Sequence, residues 1–179
     1  QIGEQCWFAE NLRAENYRNG GQIPNLSSNS EWVNTLEGAV SVYQDDTLNL
    51  EAYGRLYNWF AVTHESGLCP NGWHVSAELE WQELLDFAGG AEIAGETLKS
   101  QDFWGEGVQG DDALGFNGRP GGLRRAGGGE NSGEYQTLGT HGYWWTSTAV
   151  NDVQATIFEF KSTAVVVTYP DLVNGGFSI

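Results

Sequence analysis

Leu68–Gly90, LCPNGWHVSAELEWQELLDFAGG, carries the strongest local signal in the chain. It predicts a short strand running into a capped helix. Ser76 is a residue type whose hydroxyl accepts from the first free backbone N–H groups of a helix, and Glu78 and Glu80 follow in the first turn, where the macrodipole favours negative charge. Trp81, Leu84, Leu85 and Ala88 recur at i, i+3, i+4 and i+7, so they form one apolar stripe and leave Gln82, Glu83 and Asp86 to water. Gly89 and Gly90 supply a left-handed stop.

Upstream of this helix, Gln5–Leu12 alternates residues that are apolar on both faces and predicts a short interior strand. From Arg13 to Thr47, Gly20-Gly21, Pro24-Asn25 and the Ser/Asn cluster at 27–30 mark a long loop. Trp32 and Val33 pin it through a turn of helix ending at Gly38, and Val40, Val42 and Tyr43 make a short strand before Asp45-Asp46. Tyr53, Leu56, Tyr57 and Phe60 stand at helical spacing, which predicts a second main helix over Glu51–Val62, packed on the Trp81 helix, with Trp59 half-buried.

Downstream, Ile93–Lys99 reads as a brief helix, and Trp104 anchors a glycine-rich coil that runs to Gly133. Gly142–Ser147, Ala155–Phe160 and Ala164–Tyr169 are β-branched and aromatic runs, the last two joined by a turn at Lys161-Ser162. They predict a terminal antiparallel meander, with Phe177 returning as a last short strand.

Cys69-Pro70-Asn71-Gly72-Trp73-His74-Val75 followed by a Glu-x-x-Trp helix ending Gly-Gly resembles the Fibrobacter succinogenes major paralogous domain, a module of secreted and surface proteins. Gln5–Leu12, Tyr53–Trp59, Leu98–Ser100, Gly115–Asn117 with Pro120–Gly122, Gly142–Thr148 and Gly176–Ser178 resemble further landmarks of that family, in its order. Ser76-Ala77 departs from the family's usual Pro-Thr. More distantly, His74–Trp81 and Trp144–Ser147 are similar to two signatures of formylglycine-generating enzymes. Both resemblances imply an α+β, C-type-lectin-like fold, with two main helices packed on short antiparallel strands and long glycine-rich loops.

At 179 residues the chain is read as one domain, 1–179, long enough to bury a substantial core. Eight Trp, seven Tyr and eight Phe stand against 25 Gly, so large rigid rings do the burying between flexible corners. No apolar run reaches the length of a membrane span. With no Met and Gln1 at its start, the sequence is expected to be a processed product or a segment of a longer secreted protein. The formal net charge of −16, with only eight Lys and Arg, argues against nucleic acid and anionic lipid as partners. It suits an extracellular surface.

Two cysteines allow one intrachain bridge, Cys6–Cys69, worth on the order of 4 kcal/mol in the chain-entropy model. The resemblance implies an alternative, because family members carry a Cys just after the Gly-Phe-Ser landmark that pairs with the Cys-Pro cysteine and leaves Cys6 free.

Candidate chemistry is sparse. No cysteine follows Cys69, so the copper-binding pair of the formylglycine-generating enzymes is absent, and no nucleophile stands at motif spacing from a base. The expectation is a protein that is not an enzyme and requires no cofactor. Calcium is the one metal its loops suit, with Asp45, Asp46, Glu106, Asp111 and Asp112 as candidate ligands, although neither group has EF-hand spacing. His74 reads as a structural histidine. Trp104, Tyr135 and Tyr143 are candidates for stacking on a glycan.

Thr47 lies in an Asp-Thr-Leu O-glycosylation pattern and Asn25 in an Asn-Leu-Ser acceptor pattern. Arg119, Arg124 and Arg125 cluster in an acidic chain, and Val165 and Val167 lie on the predicted last strand of the meander. These five are candidates for assembly, by complementary charge and by edge pairing. The function expected is that of a non-catalytic extracellular or cell-surface module: a structural subunit of a filament or pilus-like appendage, or an adhesive protein. The alternative is a glycan-binding lectin-like domain.

Overall fold

Trp144 and Trp145 are adjacent, and in a strand adjacent side chains leave on opposite faces. The computed structural model, which describes all residues from Gln1 to Ile179, shows what each face meets. Strands β5 (Gly142–Asn151), β6 (Gln154–Phe160) and β7 (Val166–Leu172) form an antiparallel sheet in the order β5-β6-β7, the expected meander, preceded in the chain by a two-stranded ribbon of β3 (Leu123–Arg124) and β4 (Tyr135–Gln136). Tyr143, Trp145, Ala155 and Ile157 enter one buried cluster, and Trp144, Phe158, Phe160 and Val166 enter another. The sheet is therefore dry on both faces along β6 and the first half of β5, while the end of β5 and most of β7 stay open to water, and burying a ring such as Phe158 contributes roughly 1.5–3 kcal/mol.

The second cluster is covered by α4 (Glu78–Phe87) and α5 (Ala94–Leu98). Trp81, Leu84, Leu85 and Ala88 are buried as their spacing predicts, and the Trp81 ring stacks on Phe158 at 4.9 Å. Gly89 and Gly90 adopt φ of 97° and 101°, the left-handed stop. The start differs from expectation. No strand precedes the helix, and the cap position is Ala77, one residue past Ser76. Ser76 instead gives its carbonyl to the Ser147 N–H at 3.0 Å, and the free helix donors are met from elsewhere. The Thr148 hydroxyl accepts from Glu78 N–H at 3.0 Å, and the Glu80 carboxylate reaches back to Ala77 N–H at 2.7 Å.

The other cluster takes in residues of β1 (Val40–Ser41), β2 (Leu56–Tyr57) and α3 (Trp59–Val62), and the short helices α1 (Asn29–Asn34) and α2 (Thr47–Tyr53) stand beside them in the chain. The helix expected over Glu51–Val62 is not one helix. Asp46 caps α2 through Leu48 N–H, but Gly54, at φ 75°, ends it, and a Cβ there would lie 2.9 Å from Asn11. Leu56 and Tyr57 are then extended, and Asn58 caps α3 by accepting from Ala61 N–H at 3.0 Å. The fold is α+β with one main helix and not two.

The two halves are joined by the last residues. Phe177 pairs antiparallel with Tyr57 of β2, exchanging hydrogen bonds of 2.9 and 3.1 Å. Ser178 pairs in parallel with β5, receiving Trp145 N–H at 3.1 Å and donating to Tyr143 C=O at 3.0 Å. Since β2 pairs with β1, and Val40 bridges to Asn25, backbone hydrogen bonding runs unbroken from β7 to Asn25. Gln5–Leu12, expected as an interior strand, is instead an irregular arm: Gln5 exchanges backbone hydrogen bonds with Ile2, Leu12 bonds to Ile179 and Arg55, and no ladder forms between them.

Candidate functional site

The arm passes over the start of α4 and encloses a cleft of about 530 Å³. Its anchors are polar. Gln5 donates to the Glu80 carbonyl at 3.0 Å and to the Glu83 carboxylate at 2.9 Å, while its own side-chain oxygen accepts from the Trp7 indole at 2.9 Å. Further along, Asn117 donates to Ala9 C=O at 2.7 Å. Asn11 donates to Tyr53 C=O at 2.8 Å and accepts from the Trp144 indole at 3.1 Å.

The walls are aromatic. Trp7 meets Trp81 edge-on at 5.1 Å and Phe116 at 5.7 Å, and Phe8 stacks on Trp73 with ring centres 4.1 Å apart. Trp7, Phe8 and Trp73 stay half-exposed, whereas Trp81, Phe116, Trp144 and Trp145 behind them are buried. The Trp81 indole N–H, in this wall, has no acceptor.

Charged groups on the cleft are largely met. His74 Nε2 lies 2.8 and 3.0 Å from the two oxygens of Glu80. Burial acts to raise the Glu80 carboxyl, but the Ala77 N–H and the hydrogen bond and charge of His74 outweigh it and hold the group below its ordinary value. Glu10 pairs with Arg13 at 2.5 Å. No Lys or Arg lines the cleft.

Both cysteines line this cleft, yet they are free thiols. The bridge Cys6–Cys69 is absent because Cys6 sits on the exposed arm while Cys69 is buried in the core against β6 and α3. Burial pushes the Cys69 thiol up to about 11, against the opposing charge of Arg18.

The remaining sequence candidates lie apart from the cleft. Trp104 is buried and donates to Gly118 C=O at 2.9 Å, Tyr143 is buried in the core, and Tyr135 is wedged between Arg124 and Tyr43. They form no exposed platform. Among the acidic candidates, Asp45 accepts from the Ser27 hydroxyl, Asp46 caps α2, and Asp111 accepts from Ala113 N–H. Asp112 accepts from Asn117 N–H at 2.7 Å and so shapes the turn that presents Phe116; burial raises its carboxyl. Glu106 is exposed, and nowhere do three metal-ligating side chains converge.

The arginine cluster is not one surface. Arg124 is fully buried between the rings of Trp32 and Tyr135, and it donates to the carbonyls of Leu26, Ser27 and Gly133. Arg119 packs on Phe103 and donates to Ala52 C=O, and Arg125 alone is exposed. Val165 and Val167 are half-buried. Beside them Val166 gives its N–H to Ala91, and Pro170 further along β7 has no N–H to offer. Thr47 and Asn25 are exposed.

Of the cleft's residues, the sequence marks Cys6, Cys69 and His74 for other roles and leaves the aromatic walls unmarked. Their signal was two non-periodic aromatic clusters, Trp7-Phe8 and Trp73-His74, and only the fold brings them together.

The chain belongs to the Fibrobacter succinogenes major domain family, whose profile matches residues 1–175. No curated protein and no solved structure gives a significant match. No helix is long and apolar enough to cross a membrane.

Proposed function

We propose that this chain is a non-catalytic, secreted module of the bacterial cell surface, of lectin-like architecture, that works as an adhesive domain with the arm-covered cleft as its receptor site. One observation carries the reading. The chain buries Trp32, Trp81, Trp104, Trp144 and Trp145, yet leaves Trp7, Phe8 and Trp73 half-open around a cavity of ligand size. The groups beside it favour holding over chemistry. His74 is tied to Glu80, and the Cys69 thiol stays protonated at neutral pH.

Assembly into a filament through β7 has less support. Ala91 covers the start of its outer edge, Pro170 interrupts the rest, and Arg124 faces inward. The test is retention of protein-coated beads on whole bacterial and host-cell surfaces. Retention lost on Trp73→Ala and on Phe8→Ala, with circular dichroism unchanged, is the expected result. Equal retention of both variants overturns the cleft as receptor.

A further inference from the structure

We infer that the ligand of this cleft is an uncharged saccharide, its ring faces packed on Trp73, Phe8 and Trp7. The inference rests on the cleft being the receptor site.

Charge comes first. The lining holds Glu4, Glu10 and Glu80 and no Lys or Arg, in a chain of net charge −16, so an anionic sugar or phosphate meets repulsion. A cationic ligand finds only Glu4 unmatched, because Glu10 is already paired with Arg13 and Glu80 with His74 and the Ala77 N–H. A neutral ligand meets neither penalty.

The wall chemistry is mixed in the way a sugar is mixed. One face of a pyranose ring presents C–H groups, slightly positive, which pack on the negative face of an aromatic ring. The stacked pair Phe8–Trp73 and the neighbouring Trp7 are half-exposed, and so able to offer such faces. The rim of the same ring presents hydroxyls that both donate and accept. Glu4, Glu10, Glu80 and His74 stand around the cleft with acceptor and donor capacity. A purely apolar ligand would strip water from these groups and offer no hydrogen bond in return, at a cost.

The volume of about 530 Å³ lies within the range of small-molecule sites, roughly 300–1,000 Å³.

The experiment is intrinsic tryptophan fluorescence of the whole chain titrated with cellotriose, xylotriose, mannotriose and triacetylchitotriose, beside trigalacturonate as the anionic sugar and deacetylated chitotriose as the cationic one. A saturable change with at least one neutral trisaccharide is expected. It should weaken at least tenfold in Trp73→Ala and stay unchanged in Trp59→Phe, a half-buried tryptophan away from the cleft. Phe8→Leu, which removes a ring and keeps a packed arm, serves if Trp73→Ala fails to fold. Tightest binding by trigalacturonate or deacetylated chitotriose overturns the uncharged class. No response to any sugar, with bead retention still dependent on Trp73, overturns the saccharide and leaves the receptor cleft standing. No response together with Trp73-independent retention overturns both.

Discussion

The two faces of the β5-β6-β7 sheet are buried to the same degree and built in opposite ways. One is closed by α4, a ten-residue helix whose three buried residues, Trp81, Leu84 and Leu85, come from a single stretch of sequence. The other is closed by elements of two to four residues and by loop residues gathered from between Tyr17 and Val75, together with Phe177. The first is held mainly by ring packing, and the second adds long-range backbone pairing and buried polar pins such as Arg124 and Asn58. Equal burial thus conceals a difference in how local the stabilising contacts are, and the two faces should fail differently.

The largest break is expected from Trp81→Ala, which empties the centre of the α4 face and should cost about 3–5 kcal/mol. Urea unfolding measures the loss, and amide exchange should rise in α4 and α5 before it rises around β1 and β2. Next is Arg124→Met. It leaves the Leu26, Ser27 and Gly133 carbonyls without their donor, at roughly 1–3 kcal/mol for each that stays dry. Here exchange should rise first in α1 and around Gly133, the reverse order. If both variants loosen both faces together, the contrast is wrong.

A smaller change sharpens the α4 side. Ala77→Ser supplies the missing side-chain cap and should stabilise by about 0.5–1 kcal/mol, read as a higher urea midpoint at unchanged slope. Acid titration probes the same helix start. Because the Glu80 carboxyl lies below its ordinary 4.5 in the folded chain, its stabilising effect is present above pH 4.5 and is lost as the pH falls through the lowered value. Glu80→Gln should flatten that part of the stability profile. The smallest effect on stability, within about 0.5 kcal/mol, is expected from Pro170→Val on the exposed edge. It restores an N–H donor to β7, so sedimentation velocity should show more self-association than the parent chain.

Much of this contrast explains what could be read in advance. The α4 stripe, its glycine stop, the brief α5 and the terminal meander were legible because helical and strand periodicities are local. Glu51–Val62 was not. Tyr53, Leu56, Tyr57 and Phe60 fit a helix template, but Gly54 breaks it and Leu56-Tyr57 are claimed by Val40, Ser41 and Phe177 from distant sequence. The cap was misplaced by one residue because Thr148, on another strand, meets the helix donor that Ser76 was expected to serve. The cleft was illegible for the same reason. Phe8 and Trp73 read as ordinary loop aromatics until the arm lays one on the other. Composition likewise counted Arg124 as surface charge, although nothing in its local sequence separates it from exposed Arg125.

The placement of Phe177 and Ser178 between β2 and β5 has a consequence for how the protein is made. A chain that emerges from a ribosome or an export channel with its first residues leading can form α4 early, but it cannot close its sheet until residue 178 is free. Until then the inward edges of β2 and β5 are exposed together. The window for mispairing is set by the transit time of the whole domain, and during it a holding chaperone or an uninterrupted passage matters most.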